Sequence, residues 1–434
     1  MSDIQVGLIG LVALLALIAL RLPIGVSMIV VSFVGLWNLL GWNVAWGAVG
    51  TIPYQFSANW ILSSVPMFLL MGFVAYHAQL TRGLFQAARV WLTGVPGGMA
   101  IAAVLGCAGF ASVSGSSVAC SAAMGRIVVP EMMRQRYSPE LATGTVAVGG
   151  TIGALIPPSI IMILYGVIAN TSVTGLFLGG ISAGILTVIG YIAVILIRVR
   201  LKPELAPRLD EAPSLRDKLI SLTGVWPLLV VMIGIFGGLF SGFFTPTEAG
   251  AVGAFLTCLV AILMRTMTWQ RFRDAIIETL VTTAGLIVIA TGASLLTRFL
   301  ALSGVGPFLS SIIIDAEAST AIVLIGIALI YLLLGLFLEP IGAMLLTLPI
   351  VLPIISAADL SLLWFGIVLT KLLEVGMITP PIGMNVFIIK GVVGNTVTTT
   401  SIFRGVFWFL IADLLIVALL MAFPNIVLFL PRLL

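Results

Sequence analysis

The sequence predicts an all-α polytopic membrane protein built on two inverted repeats, each a re-entrant helical hairpin followed by a Gly/Pro-broken helix. Three observations predict it: a composition that only lipid can solvate, two broken apolar segments held at one offset, and an odd number of crossings between them. Of 434 residues, 61% are hydrophobic and 8% charged, and the mean hydropathy is +1.26. A soluble domain carries about 25% charged residues, so this chain cannot cover a water-facing surface. At about 20 apolar residues per span it has room for roughly ten to fourteen membrane segments. Backbone satisfaction in a lipid bilayer leaves helices or a closed barrel. Runs such as "LVALLALIAL" are apolar on every side where a barrel strand would alternate, so helices follow.

In chain order, the first apolar segment (about 4–20) lacks a basic leading region and a small-residue cleavage site, and reads as a retained span rather than a signal peptide. Trp37, Trp42, Trp46 and Trp60 cluster around a non-basic loop at about 41–59, as an interfacial belt or a helix lying in the interface. His77, the single histidine, falls at a span end, where an interfacial or packing role competes with a proton relay. A hairpin over about 97–130 turns at "ASVSGSS", Ala111 to Ser117. A broken segment (about 140–168) and a span (about 175–197) lead to the longest polar linker, Arg198 to Lys218, with Arg200, Lys202, Arg208 and Arg216. Two spans, about 223–241 and 246–264, precede a further basic loop with Arg265, Arg271 and Arg273. These loops and the Arg134/Arg136 site fall on one side, the cytoplasmic one by the positive-inside rule, with Asp315, Glu317 and Asp359 opposite. A net charge of +4 distributed in this way is a topology signal and points to no nucleic acid. Cys107, Cys120 and Cys258 lie singly in apolar runs and argue for neither disulfides nor metal.

"TIGALIPP" at 151–158 returns as "EVGMITPP" at 374–381, with Gly153 and Gly376 223 residues apart. The same offset pairs Pro157 with Pro380, Pro158 with Pro381, Ile127 with Ile350, Val128 with Val351 and Pro130 with Pro353. About five crossings separate the end of the first block from the start of the second, so the halves are inverted, a device for alternating access. The second hairpin spans about 319–353, with its tip near Leu336 to Pro340. At each Pro-Pro a helix must open, and free carbonyls at membrane depth are tolerated only when buried in protein or lining a cavity. In the first half Ser112, Ser114, Ser116 and Ser117 face the break at Gly153–Pro158. Hydroxyls and carbonyls together make an oxygen cage suited to Na⁺, and Thr379 with the carbonyls near Gly376 plays that part in the second half. The competing reading is close helix packing by small residues. Helix ends meeting at the hairpin tips favour an organic anion.

Charges within membrane segments are functional candidates. Arg298 suits a substrate carboxylate or snorkels to the interface. Glu339 stands at the second hairpin tip. Glu248 is a candidate or a first-turn acid, and Lys371 and Glu374, one turn apart, pair with each other.

The elements "SVSGSS", "GGTIGALIPPS", "IANTSVTGLFLGG", "TPTEAGAVGA" and "TPPIGMNVF", in this order across essentially the whole chain, resemble the large membrane subunit (DctM-like permease) of tripartite ATP-independent periplasmic (TRAP) transporters. The resemblance implies an elevator-type transporter of the bacterial inner membrane with Na⁺ coupling at two or more sites. It implies a small four-helix (DctQ-like) membrane partner, separate from this chain, and a periplasmic substrate-binding protein delivering an organic anion. By motif position the first sodium site falls on Ser114, Ser116, Gly153, Ile156 and Pro158. The second falls on Gly376 and Thr379, and substrate contacts on Ser172, Arg298 and Glu339. The family's hairpins often carry Asp where Glu339 stands, so no particular substrate carries over. The implied organisation is 1–80, scaffold spans and interfacial helix; 81–175, first transport repeat; 176–275, scaffold spans with the cytoplasmic loop 198–220; 276–400, second transport repeat; and 401–434, C-terminal span. The alternatives are a stand-alone ion-coupled carboxylate symporter, or a cation channel or proton antiporter, which would need more intramembrane carboxylates. No metal constellation and no Ser-Lys or Asp-Asp pair suggests an enzyme.

Overall fold

The computed structural model describes residues 2–207, 213–315 and 319–433. Arg208 and Glu317 lie outside the described residues. Among the described residues the regular elements are all helical. The chain opens with α1 (Asp3–Ala19), α2 (Ile24–Leu40), α3 (Trp42–Ser57) and α4 (Ser64–His77), followed by the short amphipathic α5 (Arg82–Trp91). The first repeat comprises α6 (Gly98–Ser114), α7 (Ser117–Arg134), α8 (Pro139–Thr151) and α9 (Ile160–Ile168). Next come α10 (Val173–Leu201), α11 (Leu215–Leu222), α12 (Trp226–Phe240), α13 (Pro246–Leu263) and the 35-residue α14 (Trp269–Ser303). After α15 (Val305–Asp315), the second repeat comprises α16 (Thr320–Gly335), α17 (Pro340–Ala357), α18 (Leu362–Gly376) and α19 (Met384–Val393). The chain closes with α20 (Thr399–Ala422) and α21 (Asn425–Leu428).

Both hairpins and both broken helices therefore stand where the repeat places them, with Pro130 inside α7 and Pro353 inside α17. Pro157–Pro158 and Pro380–Pro381 are both cis. Seven helical stretches among the described residues are long and apolar enough to cross a membrane. The estimate of ten to fourteen segments is made up by shorter apolar helices, among them α1, α2, α6 and α16, and by the broken pairs. Outward-facing Leu, Ile and Phe side chains are widely exposed, as on α14 and α16, which suits lipid as the solvent.

Two packing groups hold the site. In one, α14 lies along α2 and α4, and α13 packs on α4 and α12. In the other, α8 packs against α6, α7 and α20, while α18 packs against α16, α17 and α10. The tryptophans at the start of the chain form an edge-on stack, with Trp37 5.0 Å and Trp46 5.6 Å from Trp42. Each is about half exposed, as an aromatic belt requires. Glu248 is the first-turn acid: its carboxylate accepts the Thr245 amide at 2.8 Å, closing a capping box at the start of α13.

Candidate functional site

The first break begins where α8 ends at Thr151, with a single turn of 3-10 helix over Ile152–Ala154. Pro157 and Pro158 lack the N–H groups that would bond the carbonyls four residues earlier, Gly153 and Ala154. The amides of Leu155 and Ile156 both turn back to the Ile152 carbonyl, at 3.0 and 3.1 Å. Among the described residues no hydrogen bond reaches any carbonyl from Gly153 to Pro158. Ser159 then caps α9 through the Met162 amide.

The tip of the first hairpin closes on this break. Gly115 ends α6 with φ 59°, and a Cβ there would overlap the Pro158 carbonyl oxygen. A Cβ on Gly153 would lie 3.0 Å from the Ser116 oxygen. Only glycine lets the two backbones meet. The four tip serines then part company. Ser112 donates to the Gly109 carbonyl at 2.7 Å, and Ser117 donates to Glu374 Oε2 at 2.5 Å. Ser116 caps α7, accepting the Ala119 amide at 3.3 Å, which leaves a lone pair on its oxygen. The Ser114 hydroxyl is buried with no partner among the described residues. Ser114, Ser116, Gly153 and Pro158 are thus brought together. The Ile156 side chain packs on Gly184 of α10, so its main chain would be its contribution. An orphaned hydroxyl, a half-used one and a run of free carbonyls form a donor set that fits a hard monovalent cation.

The second break differs. Gly376 packs on Gly335 at the end of α16, where a Cβ on Gly335 would lie 2.8 Å from the Gly376 Cα. Here Pro380 and Pro381 orphan the carbonyls of Gly376 and Met377, but both find donors: the Thr379 amide at 3.2 Å and the Asn385 amide at 3.0 Å. The Thr379 hydroxyl donates to the Val375 carbonyl at 2.6 Å.

A cavity of about 420 Å³ lies between the two hairpin tips, lined by Ser114–Ala119 and Glu339–Ile341, and by α4 and α14. Glu374 reaches it from the second break, with Oε1 unpartnered among the described residues. The N-termini of α7 and α17 both border this space, so amide dipoles face it.

The structure places two of the expected substrate contacts away from this cavity. Arg298 is exposed on α14 and is absent from the cavity lining. It stands twelve residues beyond Leu286, the last α14 residue on the cavity, or about 18 Å along the axis. Ser172 is exposed and its hydroxyl accepts the Gly175 amide at 3.1 Å as the cap of α10. Glu339 does line the cavity. The expected Lys371–Glu374 pair is corrected. Lys371 Nζ meets Asp413 Oδ1 of α20 at 2.5 Å, with both side chains fully buried, because a full countercharge lies across the helix interface while Glu374 turns to Ser117. Asp413 Oδ2 accepts the Tyr191 hydroxyl at 2.8 Å, which meets the Thr151 hydroxyl at 2.8 Å. This buried chain of polar groups runs from the last turn before one break to the last turn before the other.

Sequence reasoning missed Arg126. Its Nη1 donates to the Tyr76 hydroxyl at 2.9 Å, and Tyr76 lines the cavity. It also missed Asp413. Each is a lone charge in an apolar run, a signal that intramembrane charges generally carry. His77 sits 3.4 Å from Glu278 at the cavity edge.

Residues 11–426 match the model of the family described as "Tripartite ATP-independent periplasmic transporter, DctM component". The chain is 34% identical over 380 residues to the C4-dicarboxylate TRAP transporter large permease protein DctM of Pseudomonas aeruginosa, covering 86% of this chain and 88% of that one. It is 30% identical to the sialic acid TRAP transporter large permease protein SiaM of Vibrio cholerae, covering 95% of each. Among solved structures, the Alcanivorax borkumensis YdaH transporter shares the fold, with a TM-score of 0.63 at 15% identity over 90% of each chain. The two hairpins, the two broken helices and this match along nearly the whole sequence lead to one conclusion: the chain belongs to the DctM family, the large permease component of tripartite ATP-independent periplasmic transporters.

Proposed function

We propose that the chain performs sodium-coupled uptake of an organic anion across the bacterial inner membrane, by an elevator movement, with the anion handed over by a periplasmic binding protein. A small four-helix membrane subunit completes the assembly. The observation that carries the sodium reading is the donor set at the first break: an unpartnered Ser114 hydroxyl next to the Gly115–Ser116 tip that packs on the break, and break carbonyls that accept no hydrogen bond. Ser114, Ser116 and the carbonyls of Gly153, Ile156 and Pro158 would hold the first ion. A second ion at Gly376 and Thr379 requires the Thr379 amide to release the Gly376 carbonyl, whereas the Thr379 hydroxyl, as a donor to Val375, keeps its lone pairs.

The anion reading rests on the cavity. Its volume of about 420 Å³ lies within the range for small-molecule sites, and two helix N-termini border it. The relatives named above for C4-dicarboxylate and sialic acid make a carboxylate the substrate class. Arg126 donates to the Tyr76 hydroxyl, and Tyr76 lines the cavity, so this guanidinium is one side chain removed from the lining. The elevator reading rests on the family to which the chain belongs. The Ser117–Glu374 bond fastens hairpin to opposite break, so the site can travel as one body along α4 and α14.

The test is uptake into proteoliposomes with the binding protein, as a function of sodium. Ser114→Ala with Ser116→Ala abolishes sodium-dependent uptake at normal protein levels. Because Ser116 also caps α7, a loss of about 1 kcal/mol in stability is expected from that change alone, and Ser114→Ala by itself isolates the ligand effect. Sodium dependence left intact in the double variant defeats the first site. Uptake at full rate without any binding protein defeats the tripartite reading and favours a stand-alone symporter.

A further inference from the structure

A second cavity, of about 320 Å³, opens at the far end of α10, remote from the transport site. The ends of two helices build most of it. Arg198 and Leu201 stand at i and i+3 on α10 with Lys202 as its C-cap, and on α20 Arg404, Phe407 and Trp408 occupy i, i+3 and i+4. The α20 triplet therefore shares one helix face. Arg198 is 7% exposed, with one guanidinium nitrogen donating to the Gly405 carbonyl at 3.1 Å. That bond fixes the guanidinium and leaves its other N–H groups for a ligand. Lys202 and Arg404 are exposed, and among the described residues none of the three cations is in an ion pair. Glu140 is the one acid on the wall, so three positive charges face one negative.

The apolar members decide what kind of anion fits. Leu201, Phe407 and Trp408 are 71%, 57% and 47% exposed. Arg404 stands one turn closer to the helix end than Phe407 and Trp408, so charge lies outward and aromatic surface inward along α20. The cavity borders the basic Arg198–Lys218 linker, the side to which positive charge assigns the cytoplasm. Charge above and apolar surface below is the profile of a phospholipid at the headgroup level, and basic pockets between membrane helices on that side take anionic headgroups. A free phosphate would use the cations and leave the exposed aromatic and Leu201 surface uncovered.

We propose that this cavity is a binding site for an anionic phospholipid, with its phosphate held by Arg198, Lys202 and Arg404 and its glycerol and upper acyl region against Phe407 and Trp408. The lipid would seat α20 against α10, and α20 is the helix that carries Asp413 into the buried chain between the two breaks. The site stands whether or not the transport reading above holds.

The test is binding of phosphatidylglycerol to the purified full chain in neutral detergent, with phosphatidylcholine and inorganic phosphate as the other arms, read by thermal unfolding and by native mass spectrometry. Phosphatidylglycerol raises the unfolding temperature and stays bound, while phosphatidylcholine does neither. Lys202→Gln with Arg404→Gln, both surface changes, weakens phosphatidylglycerol binding roughly tenfold or more. Arg136→Gln, an exposed cation elsewhere, leaves it unchanged. The proposal is overturned by unchanged affinity in the double variant, by equal loss in Arg136→Gln, or by phosphatidylcholine binding as well. Inorganic phosphate reproducing the full stabilisation also overturns it, since that outcome makes the site one for a free anion. Arg198→Gln is the stronger change but disturbs a buried contact, so the exposed pair carries the decision.

Discussion

The two breaks share a sequence pattern and an offset, yet the two carbonyls that the prolines orphan in each meet different fates. At the first, two prolines orphan the Gly153 and Ala154 carbonyls, and nothing among the described residues replaces the lost donors. At the second, Pro380 and Pro381 orphan Gly376 and Met377, and the amides of Thr379 and Asn385 take them up. The cause is local. Ser159 caps α9 with its side chain, so the chain after the first break needs no amide turned back. The matching position in the second half is Ile382, which has no such oxygen. There Gly383 opens α19 with φ 52°, and the Asn385 amide bends to Met377 instead. The surroundings differ too: Pro157 and Pro158 are buried, whereas Pro380, Pro381 and Ile382 are exposed. One motif therefore leaves two more carbonyls free at the buried first break than at the second, where Gly376 and Met377 are taken up while no hydrogen bond to the carbonyls of Ile378–Pro381 is found among the described residues.

The comparison holds only while both breaks belong to one body, and the largest expected effect comes from cutting what joins them. Asp413→Ala strands Lys371 in a fully buried position and removes the acceptor of Tyr191. Removing one partner of a buried ion pair costs about 3–5 kcal/mol, so the variant accumulates poorly or unfolds at a much lower temperature. Lys371→Met with Asp413→Leu, which removes both charges, recovers most of that loss. Thermal unfolding in detergent distinguishes them. A single variant as stable as the parent would mean that the pair carries no strain-bearing charge and that the breaks are joined by other means.

A smaller effect is expected at the second link, Ser117 to Glu374. Ser117→Ala removes the hydroxyl that Glu374 Oε2 accepts and leaves both carboxyl oxygens without a described partner, at a cost of about 1–3 kcal/mol for a buried polar group left unsatisfied. Ser117→Thr keeps the hydroxyl and stays near the parent in both stability and uptake. Equal behaviour of the alanine and threonine variants would show that the bond does not couple the first hairpin to the second break.

How much of this was legible beforehand depends on the range of the cause. The hairpins and breaks were readable because Pro-Pro, Gly and Ser clusters act on their own few residues, and the 223-residue offset repeats them. Glu248 was readable for the same reason, as a cap three residues from Thr245. The failures are all tertiary. Lys371 and Glu374 are one turn apart, which suggests a pair, but Asp413 arrives from α20, 42 residues away, and Ser117 from 257 residues away. Arg298 looked like a ligand because it is charged in an apolar run, the rule that would have found Arg126 and Asp413. Only the packing of α14 tells that Arg298 stands away from this cavity. The different fates of the two breaks were likewise hidden, since Ser159 and Ile382 look like ordinary flanking residues until their amide partners are known.

The last prediction tests the comparison itself. If the first break is the preformed ion site and the second a partly closed turn, matched substitutions should be unequal. Ser114→Ala removes an oxygen that has no described partner, so nothing but the ion is lost, and the half-saturating sodium concentration for uptake rises about tenfold, the equivalent of ~1.4 kcal/mol. Thr379→Val removes a hydroxyl that donates to the Val375 carbonyl and stands beside a Gly376 carbonyl already taken by an amide. A site whose Gly376 carbonyl is already taken holds the ion less tightly at rest, so the sodium curve moves by less than about threefold, under ~1 kcal/mol. Both variants are read on the same uptake curve against sodium. Equal shifts would mean that the second turn opens readily during transport and that the two halves are functionally alike despite their different hydrogen bonding. A larger shift for Thr379→Val would reverse the assignment, making the buried oxygens at Gly153–Pro158 a packing feature and the surface turn the controlling site.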